Sequence, residues 1–290
     1  MSYLWLIVLA ALFGGSNPTL AKYALDVFPA FVLLFIRFSI ASITLLPLVI
    51  KSKELNLKAF KTFALVGIMG SLNPIILYNA LQYTQASVSP LIYAATPLLT
   101  ALVLSKQKAE KISKNTMKGI AVGLLGVTTI IVLPLITNND NQQLSLKGNL
   151  MIFVAMLAFM SYGILSKKKQ KQIGASPVAL VFYFSFFSML IATPFALSEL
   201  NSGLIIWSSV MVRHWMSAIA VGVFGTTLFY LLYQFAIKKG GATAASLFTY
   251  LQPIVGIALP VMILGETITM PFIVGAVLAL IGVQIATKKK

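Results

Sequence analysis

Arg37 stands alone in the apolar run FVLLFIRFSIASITLLPLVI, with no other charge between Asp26 and Lys51. A guanidinium in such a setting is costly to bury and calls for a partner. Two chemistries stay open. It could bind the carboxylate of a substrate, or act as a gate by pairing with Asp26 or with carbonyls at a helix C-terminus. Equally, it could be a structural arginine that bonds backbone carbonyls or reaches toward the interface. The other groups within apolar runs are neutral, and several sit beside helix breakers: Gly14-Gly15-Ser16-Asn17-Pro18, Asn73-Pro74, Ser89-Pro90, Thr96-Pro97 and Gln252-Pro253. In a bilayer, freed backbone groups are tolerated only where neighbours or a wet cavity satisfy them. Kinks that help helices pack explain such breaks as well. On the substrate-path reading, Asn17, Arg37, Asn73, Tyr78, Tyr93, Thr96, Tyr230, Tyr250 and Gln252 are candidate binding residues. Gly15, Pro18, Pro74, Pro90, Pro97 and Pro253 are candidate breaks or gates. Any one of the tyrosines could equally be a packing residue.

The rest of the reactive inventory is thin. There is no cysteine and one histidine, His214, so thiolate, disulfide and multi-histidine metal chemistry are excluded, and no metal or cofactor is expected. All six acids, Asp26, Glu54, Glu110, Asp140, Glu199 and Glu266, fall at the ends of apolar runs or between them. Proton pumps usually place such a group inside the membrane, so proton coupling is expected to be weak or indirect. Glu110 and Glu266 each precede a run, where a helix dipole favours negative charge.

The elements that must hold these residues are apolar helices. Of the 290 residues, 59% are hydrophobic and 10% charged, with a mean hydropathy of +0.93. A soluble domain carries about 25% charged residues. Ten stretches approach the roughly 20 residues that a bilayer demands: 3–22, 29–50, 60–80, 87–105, 117–136, 148–166, 177–198, 215–236, 242–263 and 271–287. Met1-Ser2-Tyr3 supplies no basic region and no small-residue cleavage site follows, so the first stretch reads as a retained span. With ten spans, eighteen of the 22 basic residues share one face and Lys22, Lys147 and Arg213 lie on the other. The positive-inside rule then puts both termini in the cytoplasm, in a multi-pass protein of the inner (cytoplasmic) membrane. The net charge of +16 is thereby a record of orientation. No segment is long enough for a basic domain that would bind nucleic acid.

A shift of 156 residues superposes Ala80 on Ala236, Ala86 on Ala242, Pro97 on Pro253, Glu110 on Glu266, Gly119 on Gly275 and Gly126 on Gly282. A shift of 147 superposes Ala11 on Ala158, Lys22 on Lys169 and Pro47 on Pro194. The chain therefore divides into halves of five spans, 1–137 and 148–290, joined by 138–147. Five is odd, so similar halves must insert in opposite directions. Charge agrees: SKQKAEKISK around Glu110 is basic while its mate LGETIT is not, and QYTQ at 82–85 is neutral while its mate KKGG at 238–241 is basic. Near Arg37 the second half offers only Phe184 and Ser185.

GSNPTLAK at 15–22, FIRF at 35–38, ALQYTQAS at 80–87 with Pro97, GGATAASLFTYLQP at 240–253, LGE at 264–266 and Gly275 together resemble the EamA-type branch of the drug/metabolite transporter superfamily. The resemblance covers both halves. It implies an all-α integral membrane fold, ten transmembrane helices in two inverted five-helix repeats around a central cavity, with the fifth and tenth helices outside. It also implies export or exchange of small polar metabolites, amino acids commonest. Two positions depart from the pattern. Gly14 replaces a frequent Trp, which is expected to widen the cavity, and Ala109 replaces the usual Gly before Glu110.

The expected function is a secondary transporter, not an enzyme, working by alternating access on a small-molecule substrate. The expected partners are the lipid bilayer and that substrate, with the chain a monomer or weak homodimer. A lipid-modifying enzyme or a channel subunit is the alternative, but paired acids, a nucleophile or a repeated pore segment are lacking. The cysteine-free background permits a direct check of inversion. In Lys108→Cys and Thr267→Cys variants, an impermeant thiol reagent should label residue 108 only from the cytoplasm and residue 267 only from outside. Labelling of both from one side would contradict opposite insertion.

Overall fold

A computed structural model describes residues 4–107, 114–136 and 145–287. Glu110, Lys108 and Asp140 lie outside the described residues. Among those described the chain is helical, with no strand. Its helices are α1 (Leu4–Leu25), α2 (Ala30–Lys51), α3 (Leu57–Ala80), α4 (Val88–Tyr93), α5 (Thr96–Lys106), α6 (Lys114–Ile136), α7 (Leu146–Ile173) and α8 (Pro177–Asn201). A π-helical turn, Val223–Leu228, joins α9 (Val212–Gly222) to α10 (Phe229–Ser246), and a 3₁₀ turn, Leu247–Tyr250, leads to α11 (Gln252–Leu264) and α12 (Met270–Thr287). Among the described residues six segments are long and apolar enough to cross a membrane by length and composition, the last of them Val212–Leu264. At 53 residues that segment exceeds any single crossing, and Gly241 bends it with φ 88° and ψ 172°, a backbone region that suits only glycine.

Local chemistry sets the boundaries. Asn56, Ser145 and Ser176 cap α3, α7 and α8 by accepting from the amides of Ala59, Gly148 and Ala179. Gly174 and Gly265 end α7 and α11 at φ 64°, the left-handed conformation that glycine adopts without penalty. At Pro18 and Pro74 the expected breaks are absent: Pro18 lies inside a continuous α1 and Pro74 inside a continuous α3. A proline removes one helical bond, and the flanking bonds and tertiary packing carry the helix past it. The breaks at Thr96-Pro97 and Gln252-Pro253 do occur, each proline opening a new helix after a short turn. The expected break at Ser89-Pro90 falls instead inside α4.

Acids tie the ends together by serving helices remote in sequence. The Glu199 carboxylate accepts from the Phe31 and Val32 amides at the start of α2, both at 2.9 Å. Glu54 accepts from the Ser176 hydroxyl at 2.6 Å, at the start of α8. Glu266 accepts from the amides of Ala86 at 2.6 Å and Ser87 at 3.0 Å, just ahead of α4, with the Lys22 ammonium at 3.6 Å. Glu266 therefore serves the unpaired N–H groups entering α4, in addition to standing ahead of α12. Such charge-assisted bonds contribute about 1.5–3 kcal/mol each. The contacts also respect the sorting of loops by charge: 54 meets 176 at one end, while 22, 84, 149 and 266 gather at the other.

The first three helices pack chiefly on the second half of the chain, α1 on α9 to α11, α2 on α8, and α3 on α7 and α8. The core thus lies between the halves. Outside it, α6 and α12 run against each other through glycines: a Cβ on Gly126 would meet the Gly275 carbonyl at 2.7 Å, and one on Gly275 would meet the Gly126 carbonyl at 3.2 Å. Small residues allow this backbone approach in a medium where burying apolar surface drives nothing. Gly126→Leu should lower stability in detergent by about 1–3 kcal/mol, the usual cost of overpacking, read as a lower thermal midpoint. An unchanged midpoint would contradict this backbone contact.

Candidate functional site

A small cavity opens where α1, α3, α4, α7, α10 and α11 converge. Four of its polar lining residues precede a proline: Asn17, Asn73, Ser89 and Gln252. Ser89, Tyr93 and Tyr230 supply the hydroxyls. Aromatic rings make the rest, with Phe159 stacked on Phe229 at 6.2 Å and edge-on to Phe248 at 6.0 Å. Nothing in the wall is charged among the described residues.

The polar groups satisfy one another across the space. Asn73 donates to the Tyr93 hydroxyl and, at 2.8 Å, to the Ala155 carbonyl, while its own carbonyl accepts from Tyr230 at 3.3 Å. One carboxamide thereby links α3 to α4, α7 and α10. On the opposite wall Asn17 accepts from the Tyr78 hydroxyl at 3.2 Å. Gly14 needs its missing side chain, since a Cβ there would strike the Gln252 amide and lie 2.8 Å from the Phe229 ring. The expected widening at Gly14 is thus not left open: Gln252 and Phe229 occupy that room.

Arg37 lies against Tyr78, in the layer behind Asn17, and is 1% exposed. Its Nε donates to Thr226 Oγ1 at 2.9 Å and its Nη2 to the Gly225 carbonyl at 3.3 Å. Both acceptors belong to the π-helical turn, whose wider winding is marked by Thr226 and Thr227 bonding carbonyls five residues back. The guanidinium also sits over the rings of Tyr78, 4.7 Å away, and Phe38, 4.9 Å away. Among the described residues its Nη1 has no hydrogen-bond partner. Pairing with Asp26, one of the expected options, does not occur. That carboxyl lies in the turn after α1, pushed above its usual range by burial and drawn back by His214 and then Lys22.

Of the expected site residues, the structure brings Asn17, Asn73, Tyr93, Tyr230 and Gln252 together with Pro18 and Pro90 around the cavity. Tyr78 and Arg37 form the layer behind them. Thr96 and Tyr250 are not in the wall; the Thr96 hydroxyl is buried without a partner, and both residues flank the short turns that precede Pro97 and Pro253. Gly15, Pro74, Pro97 and Pro253 shape helices without facing the cavity. Sequence reasoning missed Phe159, Phe229 and Phe248, which nothing distinguishes among 19 phenylalanines, and the role of Gly225, whose small size lets Asn17 lie against it.

With this geometry, comparison with known proteins is informative. The chain resembles the uncharacterized transporter YetK of Bacillus subtilis (strain 168), 26% identical over 281 residues that span 95% of this chain and 84% of that protein. An uncharacterized transporter of Clostridium kluyveri is 26% identical over 290 residues, covering 95% and 90%. A solved crystal structure of a protein shares the fold with a TM-score of 0.69 at 17% identity, covering 99% and 97% of the two chains. The model of the EamA-like transporter family matches residues 1–132 and 146–287. Matched along nearly its whole length, the chain belongs to the EamA-like transporter family.

Proposed function

We propose that this membrane transporter is a secondary carrier that moves a small polar metabolite, an amino acid or related compound, by alternating access, as exporter or exchanger. The observation that carries the reading is the cavity between the halves, lined by neutral hydrogen-bonding groups from five helices. Ligand sites of this kind lie between helices and combine apolar walls with a few convergent polar groups. Carboxamides and hydroxyls can serve a polar cargo as donors or acceptors, and release it at little cost.

In this reading the chain crosses the inner membrane ten times, as inverted halves 1–137 and 148–290 joined by 138–147, with both termini cytoplasmic. Support comes from the two helix breaks, which recur at the same register: Ala94-Ala95 before Thr96-Pro97, and Tyr250-Leu251 before Gln252-Pro253, 156 residues on. Inverted repeats meeting at a midplane site suit rocking of one half against the other. The carrier acts as a monomer or weak homodimer, without cofactor and without catalysis.

Counterflow in proteoliposomes tests the mechanism. Saturable, trans-stimulated uptake of an amino acid or related solute is expected; linear electrodiffusion would indicate a channel, and turnover of lipid an enzyme. Asn73→Ala strips three hydrogen bonds from the cavity at once. It should lower the transport rate at least tenfold, about 1.4 kcal/mol in transition-state terms, while the purified protein stays monodisperse. Wild-type rates in that variant would remove Asn73 from the substrate path.

A further inference from the structure

Resting on the transport reading and narrowing its cargo to the related compounds that lack an ammonium group, we propose that the cargo is an organic monoanion, a carboxylate whose charge is met by Arg37. Three observations converge on this. The guanidinium is 1% exposed and both its hydrogen-bond acceptors, Thr226 and the Gly225 carbonyl, are neutral. Its Nη1 is buried and unpartnered. Finally, the acids that could neutralise it are committed elsewhere among the described residues: Glu54 to Ser176, Glu199 to the start of α2, Glu266 to the start of α4, with Asp26 in the turn after α1. A buried charge is ordinarily paired. Here the neutral acceptors and two ring faces hold the cation in place and leave the N–H groups of Nη1, and the whole positive charge, for an anion to satisfy.

The cluster is continuous with the cavity. Asn17 lines the cavity, lies against Gly225 and accepts from Tyr78, whose ring sits under the guanidinium. An entering carboxylate that displaces the Asn17 acceptor gains two donors, the Tyr78 hydroxyl and Arg37 Nη1. Its apolar body then rests on the rings of Tyr93, Phe159, Phe229 and Phe248. An ammonium has no such welcome: the wall contains no carboxylate among the described residues, and the uncompensated arginine repels it through a medium of low dielectric.

Three probes that share one ring and differ in charge make the test: phenylacetate, L-phenylalanine and phenethylamine, titrated against the purified full chain by thermal shift, since a ligand that prefers the folded form raises its midpoint. Phenylacetate should stabilise at concentrations at least tenfold below those that phenylalanine needs, with phenethylamine without effect. Arg37→Gln should abolish the phenylacetate shift. If that variant does not fold, the wild-type order alone decides. Equal or tighter binding of the zwitterion or the amine, or no binding by any of the three, would overturn the proposal. Counterflow separates it from the transport reading: phenylacetate that binds in the expected order yet never exchanges would sink transport, and saturable exchange without preference for the anion would sink the charge assignment.

Discussion

A single positive charge, buried with no negative charge beside it among the described residues, is the constraint around which the centre of this molecule is organised. Arg37 is tolerated because the π-helical turn at 223–228 presents Thr226 and the Gly225 carbonyl to it, and because two aromatic faces cover it. Each of those supports constrains something else. Gly225 must lack a side chain for Asn17 to fit. Asn17, which lines the cavity, in turn accepts from the Tyr78 hydroxyl, whose ring lies beside the charge. The second half of the chain thus holds an arginine supplied by the first, and any relative movement of the halves must act on that contact.

The ends of the helices obey a related economy. With six acids in the whole sequence, each described glutamate serves the start of a helix far away in the chain. Glu266 is the most buried of them, 7% exposed, and with Lys22 it joins α1, the entry to α4 and the entry to α12 at one end. The glycine contact between α6 and α12 lies apart from these ties, so the pair can stand at the edge while the central helices enclose the cavity.

Much of the site was legible because polar and helix-breaking residues are conspicuous in apolar runs. Asn17, Asn73 and Gln252 precede prolines, and all three reach the cavity. Arg37 was visible as the one charge within its run. Its partners were not: a π-helical turn depends on a spacing of five residues that no residue type announces, and Thr226 looked like any other neutral hydroxyl. Pro18 and Pro74 read as interruptions, yet their helices continue, since packing outweighs the loss of one backbone bond. The partner of Glu266 was equally hidden. Its neighbours in sequence suggest a role at its own helix, whereas the amides it binds lie 180 and 179 residues away.

The most direct measurement is an experimental structure of the chain with phenylacetate bound. A carboxylate oxygen is expected about 2.7–2.9 Å from Arg37 Nη1, the distance of a charge-assisted bond, with Tyr78 released from Asn17 and the ring of the ligand against Phe159. A ligand carboxylate held at the Gln252 end, with Arg37 Nη1 still unpartnered and the Asn17–Tyr78 bond intact, would contradict it.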